Sequence, residues 1–267
     1  MTEGPIRPRT GLVDHAAPVR LGTADALLRF SGPREADGRH LIVDGVPAFE
    51  LSFPCGTCAL LFRRLDAEAR VLAEAALHDH LDAHVPTIDN PSLRELVSTF
   101  LPEGSYLPLL LSVEPVLVAP GGDRDYFSHE QVVHRGIDAN LGAPEDPATE
   151  YYRGSTRTIG DHETLFEFLV PMLPPSRNDR ARVDVYEAAF RAGGAATVLA
   201  VSVLDRTQPS DSVEAHSGLV HFVLDGHHKL EAAARLGVAV TLLAFVSVEA
   251  SLADTATVIG LPELLAR

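Results

Sequence analysis

The chain has 267 residues, 46% of them apolar and 22% charged, with Lys+Arg 22 against Asp+Glu 37 and a formal net charge of −15. That is apolar content for one large core or two smaller ones, and so acidic a surface repels phosphate backbones and anionic lipid, which argues against nucleic-acid and membrane partners. Two cysteines make no disulfide framework, the opening residues lack the apolar core of a signal peptide, and no apolar stretch is long enough to span a bilayer, so the expectation is a cytoplasmic protein.

Residues 1–20, with Pro5, Pro8 and Pro18 and no periodicity, predict a loosely held arm. His40–Phe53 reads as a hairpin around Asp44-Gly45, a two-residue turn signal. Pro54-Cys55-Gly56-Thr57-Cys58 breaks the strand, and the Ala/Leu/Glu/Arg-rich run from Ala59 to Leu81 predicts a helix. A second helix is expected over Ser92–Phe100, with Ser92 and Glu95 as a capping box, followed by one or two buried strands in Tyr106–Val118. From Pro120 to Asp161 the periodicity dissolves into Gly, Pro and Asp, with the cluster Tyr126–Glu130, either pocket lining or a packed loop.

The last hundred residues are the most legible. Strands are predicted at Thr164–Val170, Thr197–Leu204, Leu219–Leu224 and Val238–Val246. A helix over Arg182–Ala192, with Val185, Ala188, Ala189 and Ala192 on one face, ends at Gly193-Gly194. An Ala-rich helix over Leu230–Leu236 is closed by Gly237. His221 inside its strand reads as a core histidine more readily than a ligand, and His216 as a loop histidine.

The candidate site is the stretch VLDGHHKLEAAARLG. A strand ends near Asp225, turns through Gly226 and enters a helix, whose first N–H groups point at whatever sits above them. His227, His228 and Lys229 add donors there. Asp225 is placed to hold Mg²⁺ or accept a proton. Arg177, Arg180 and Arg182 are either a solvated face or a further phosphate contact.

This segment resembles the signature of the ParB/sulfiredoxin-like superfamily in its DGHHR form, found also in free-serine kinases and in amino-acid-binding relatives of siderophore pathways. The order of elements over roughly residues 165–250 agrees with the resemblance. Two departures stand out: Lys229 replaces the usual Arg and cannot make its bidentate fork, and the turn lacks the sulfiredoxin Cys. The resemblance implies an α+β protein, with a mixed-sheet ParB/sulfiredoxin-like domain over 161–267. Residues 21–160 then form an N-terminal α/β part, or both parts share one continuous core. It also implies catalysis by Asp225, His227 and His228, with Asp184 or Glu187 as a second acid, and nucleotide phosphates (ATP or ADP, or CTP, with Mg²⁺) held by Gly226, His227, His228 and Lys229. The expected activity is phosphorylation or other activation of a small polar metabolite. The alternative is a non-catalytic nucleotide or amino-acid sensor, with a ParB-like DNA-associated protein behind both.

The second motif is Cys55-x-x-Cys58. Three readings stand side by side: a redox pair activated by a following helix N-terminus, half of a structural zinc site completed by His78, His80, His84, His129 or His134, and two small semi-buried thiols.

Overall fold

Runs such as Thr197–Leu204 are apolar on both sides of a strand, so their sheet needs cover on both faces. The computed structural model describes residues 9–31, 38–65, 87–137 and 142–266. In chain order the strands are Arg9–His15 (β1), Val19–Leu21 (β2), Leu28–Phe30 (β3), Arg39–Val43 (β4), Val46–Leu51 (β5), Phe62–Arg64 (β6), Gly104–Glu114 (β7), Val116–Val118 (β8), Tyr151–Gly160 (β9), Glu163–Pro171 (β10), Thr197–Thr207 (β11), Ala215–Asp225 (β12) and Val240–Ser247 (β13). The helices are Pro91–Ser98 (α1), Glu130–Arg135 (α2), Arg180–Arg191 (α3), His227–Leu236 (α4), Thr255–Ile259 (α5) and Leu261–Leu265 (α6).

Among the described residues, nine strands form one mixed sheet in the order β1-β7-β13-β11-β12-β10-β9-β8, with β2 also on β7. The β11–β13 and β10–β12 pairs are parallel and the other neighbours antiparallel. The sheet curls until Thr10 of β1 hydrogen-bonds Glu167 and Ser155, and Arg157 donates to the Thr10 carbonyl. Its inner face is filled by Leu109, Leu204, Leu219 and Leu242, with Leu230, Val258 and Leu261 from the helices. Its outer face carries Phe166, Phe168, Val203 and Phe222, covered by the small sheet β3-β4-β5-β6 and by Leu93 and Val97 of α1. The result is a mixed α+β architecture with both faces of the curled sheet buried.

The hairpin at Asp44-Gly45 is present as β4–β5, with both turn residues at positive φ, +49° and +78°, the backbone that this residue pair favours. The strands expected after residue 104 are all present: the Tyr106–Val118 range divides into β7, which starts earlier at Gly104, and β8, and each of β10, β11, β12 and β13 extends by one or more residues past its predicted end.

Other expectations are corrected. Residues 9–15 and 19–21 of the supposed arm are strands held on β7, a pairing more than 80 positions away in sequence that no local pattern reveals. Phe62–Arg64, inside the predicted helix after the cysteines, is a strand added to β5; the rest of that helix, 66–81, lies outside the described residues, as do His78, His80 and His84. Helix α1 is capped by the Asn90 side chain, which accepts from the Ser92 and Leu93 N–H groups, not by a Ser92–Glu95 box. On α3 the buried residue is Val183, while Val185 is 66% exposed, so the apolar stripe read from alanines faces solvent. Alanine is a helix former whether or not it is buried, which makes it a poor marker of the packed face. The loop 120–161 contains α2 and β9, and His216 lies in β12. The boundary at 160/161 falls in the β9–β10 turn, and β1, β2 and β7 share a sheet with β11–β13.

Candidate functional site

Strand β12 ends at Asp225, and Gly226 turns the chain into α4 with φ +92°. A Cβ at position 226 would sit 3.1 Å from both Cα and Cγ2 of Val198, so the close approach to β11 and the left-handed backbone both select glycine. Helix α3 starts beside α4. Asp179 N donates to His228 Nε2 (3.2 Å), Arg180 pairs with Glu231, and Arg235 reaches Glu187 (3.0 Å), so the two helices run parallel with their N-termini side by side. Asp179 caps α3 by accepting from Ala181 N (2.9 Å), whereas no side chain caps α4.

The five motif residues take separate places at this corner. Asp225 is at the strand end with its side chain 18% exposed, and its Oδ2 lies 3.9 Å from Lys229 Nζ. Lys229 is fully buried; its ammonium donates to Thr197 O (3.2 Å) and lies 5.7 Å from the centre of the Tyr186 ring. It is thus placed under the turn, not above it. His227 is buried, and burial pushes its imidazole down to about 3, with the charges of His228 and Arg64 acting in the same direction. His228 is half-buried at the surface of the corner. Burial and then Arg182 push its pKa down, opposed by Asp179, Glu231 and Asp225. Because Nε2 accepts from Asp179, the neutral ring carries its proton on Nδ1 and can donate from there. Asp184 and Glu187 do not join the corner. Both are held by Arg235 (3.8 and 3.0 Å), eight residues into α4 and so about 12 Å from its start.

A scan of family models, curated proteins and solved structures finds no match to this chain. The resemblance therefore stands on the motif and the order of elements alone.

Residues not anticipated from sequence support the corner. Asn178 Nδ2 donates to Glu231 Oε2 (2.8 Å) and lies 3.4 Å from His227 O, tying the turn before α3 to the first turn of α4. A second polar group sits inside the curl: His221 Nδ1 is 2.7 Å from Ser202 Oγ, and His221 Nε2 is 3.3 Å from Glu167 Oε1 but misaligned for a hydrogen bond. Glu167 Oε2 also accepts from Thr10 Oγ1, Ser155 N and Ser155 Oγ. Glu167, Ser202 and His221 each interrupt an apolar strand at mid-length, on three adjacent strands, and that alignment was a readable signal. All three are buried from solvent, so they read as a polar brace, consistent with the core role expected for His221.

Cys55 and Cys58 lie at disulfide distance on a turn that leads into β6, so the helix N-terminus expected to activate them does not follow directly. Among the described residues no group of three or more His, Cys, Asp or Glu side chains is placed to hold a metal. Nor is any helix among them long and apolar enough to cross a membrane.

One half-buried imidazole, His216, and one buried imidazole, His227, set a pH dependence. His216 stacks on His134 (centroids 3.7 Å apart), and burial, then the charge of His134, pushes it down to about 4; His227 is pushed to about 3. Both bind protons more readily when unfolded, near pH 6.5. Their stabilising contribution is complete above about pH 6.5 and is lost as pH falls toward 4 and 3. Urea unfolding between pH 7 and 5, above the range of unfolded carboxylates, is expected to show falling stability, with a shallower fall in His216→Asn. A flat profile contradicts the assignment.

Proposed function

We propose that the corner at Asp225–Lys229 binds the phosphates of a nucleotide and that the protein is a nucleotide-dependent phosphotransferase or activating enzyme for a small polar metabolite, as the ParB/sulfiredoxin-like resemblance implies. The supporting observation is the pair of parallel helices starting side by side at the end of β12, one of them without a side-chain cap. Two aligned dipoles and the open N–H groups of the first α4 turn favour an anion there. His228 adds a donor at its edge, and Arg182 a cation. Lys229 supports from below, its charge offsetting that of Asp225, so its role differs from the direct phosphate contact of the Arg in relatives.

Mg²⁺ fits this donor set. It is commonly held by one or two carboxylates plus substrate phosphates, and Asp225 is a single carboxylate at the rim of the proposed phosphate site. When bound, the ion would neutralise charge on the transferring phosphoryl group. Asp225 would orient it, and the helix starts and His228 would position the phosphates.

A second reading, a nucleotide or amino-acid sensor with the same pocket, is favoured by one fact. Asp184 and Glu187 are occupied with Arg235 and supply no second acid at the corner.

Thermal unfolding with ATP, ADP or CTP plus Mg²⁺ tests both. A ligand at roughly a hundredfold its Kd is expected to raise Tm by about 5–10 °C, and His228→Ala to reduce that rise. Turnover of nucleotide that is lost in Asp225→Asn while binding persists identifies the enzyme. A Tm rise with no turnover in the unaltered protein identifies the sensor. No rise with any of the three nucleotides removes the enzyme and the nucleotide sensor, and a rise with an amino acid alone identifies the amino-acid sensor.

A further inference from the structure

The CxxC turn lies at the far end of β11 from the Asp225 corner. Gln208 N donates to Gly56 O (2.8 Å) and Thr207 Oγ1 to Cys58 O, so the turn is anchored at Gly56 and Cys58 to the last residue of β11 and the one that follows it. Beside it opens a cavity of about 240 Å³, lined by Phe53, Cys58, Leu61, Phe127, Gln131 and Arg135 among others. The lining mixes apolar side chains with the charged Arg135 and Glu145. Gln131 is 2% exposed, and neither Oε1 nor Nε2 of its carboxamide has a hydrogen-bond partner. A buried amide that lacks both a donor and an acceptor partner is costly, and it is rare in a folded protein unless a ligand supplies them. The complement of a carboxamide is another amide.

The two sulfurs are not equivalent. Cys58 lines the cavity. Cys55 faces solvent, and its sulfur accepts a hydrogen bond from Cys58 N (3.0 Å). An N–H aimed at Cys55 stabilises its thiolate, and a sulfur whose thiolate is stabilised is the better leaving group in exchange. Arg135, which holds the turn through Thr57 O (3.0 Å), and Glu145 bring opposite charges to the same cavity, so the Cys58 N–H is the contact that favours the Cys55 thiolate.

We infer that Cys55–Cys58 is a thiol–disulfide exchange site whose co-reactant is a small thiol bearing an amide, seated in this cavity with its amide on Gln131. The thiolate of the bound molecule attacks Cys58 Sγ. A bond forms between the two sulfurs, the Cys55–Cys58 bond breaks, and its electron pair leaves on Cys55, which accepts the Cys58 N–H. A second thiol molecule then attacks the ligand sulfur of the mixed disulfide. It releases the small-molecule disulfide and leaves Cys58 as thiolate. The protein gains two electrons, and two small thiols are oxidised to one disulfide. The anchoring of Gly56 and Cys58 to β11 keeps the turn in place in both states.

The test is the rate of disulfide reduction in the full chain by N-acetylcysteinamide and by mercaptoethanol, which has no amide. Reduction by N-acetylcysteinamide is expected to saturate with concentration and to be slowed competitively by N-acetylalaninamide, which has the amides but no sulfur. Reduction by mercaptoethanol should stay linear and indifferent to the competitor. Gln131→Leu should slow only the amide thiol, about tenfold at low concentration, as the loss of one to two hydrogen bonds implies. In Cys55→Ser, the symmetrical disulfide of N-acetylcysteinamide should leave a stable mixed disulfide on Cys58, seen by mass. Linear kinetics with both thiols and no competition in the unaltered protein overturn the proposal, a result that does not depend on any variant folding.

Discussion

Replacing Arg39 by alanine is expected to cost about 3–5 kcal/mol of stability, the range for breaking a buried ion pair from one side. Arg39 and Asp205 are each 2% exposed at the side chain, and the guanidinium meets the carboxylate through two bonds, Nη1 to Oδ2 at 2.6 Å and Nη2 to Oδ1 at 2.8 Å. Arg39 also donates to Ser52 O (3.1 Å) and Ala250 O (2.5 Å), and Asp205 Oδ1 accepts from Leu252 N (3.2 Å). One side chain thus ties β4 of the small sheet to β11 of the large one and to the turn after β13. Truncation leaves a buried carboxylate without its charge partner and two carbonyls without a donor. Arg39→Met combined with Asp205→Leu should cost far less than either single truncation, because no charge is then left behind. Denaturant unfolding of the three variants decides it; a single-variant loss under about 1 kcal/mol would show that the pair is not desolvated as its geometry requires.

Glu167→Ala should destabilise to a similar degree, about 3–5 kcal/mol, since Thr10, Ser155 and His221 all lose the carboxylate they face. Its partner position is Gly154 on the neighbouring strand. A Cβ there would lie 2.3 Å from Glu167 Oε2 and 2.6 Å from Cδ, so Gly154→Ala cannot coexist with the carboxylate in its present place. Overpacking of this kind costs about 1–3 kcal/mol or more. Combined with Glu167→Ala, the added methyl group enters the vacated space. The double variant should therefore be more stable than the sum of the single effects predicts, with a coupling of about 0.5–3 kcal/mol. Strict additivity would place the carboxylate elsewhere. Acid adds a second handle. Burial raises the Glu167 pKa, but His221, Thr10 and the Ser155 N–H outweigh it and hold the group below its ordinary value. The stability it contributes is present above the unfolded value of about 4.3 and is lost as pH falls through the folded one. Glu167→Gln should flatten that part of the profile.

Both effects depend on contacts between residues far apart in sequence, and this separates what was legible from what was not. The Asp44-Gly45 turn, the buried strands after residue 104 and the strand–turn–helix at 219–236 are written in local terms: backbone preference, apolar runs and a glycine at the strand-to-helix turn, where φ is +92°. The identity of the candidate corner was visible for the same reason, because Asp225 to Lys229 are consecutive. What each side chain does there was not visible. Lys229 at i+4 from Asp225 turns under the helix to Thr197, and Arg235 draws Asp184 and Glu187 away, because those choices depend on which strand and which helix lie alongside.

The sequence by itself determined the α+β character, the positions of the strong strands and the five-residue turn, since each follows from the torsional and burial preferences of neighbouring residues. Only the tertiary structure decided that β1 and β2 leave the supposed arm to pair with β7, that residues 62–64 are a strand, and that Glu167, Ser202 and His221 meet inside one curled sheet. The physical reason is that a strand edge, unlike a helix, satisfies its backbone hydrogen bonds with distant residues. Its partner is selected by the burial of the whole sheet and not by its own few residues.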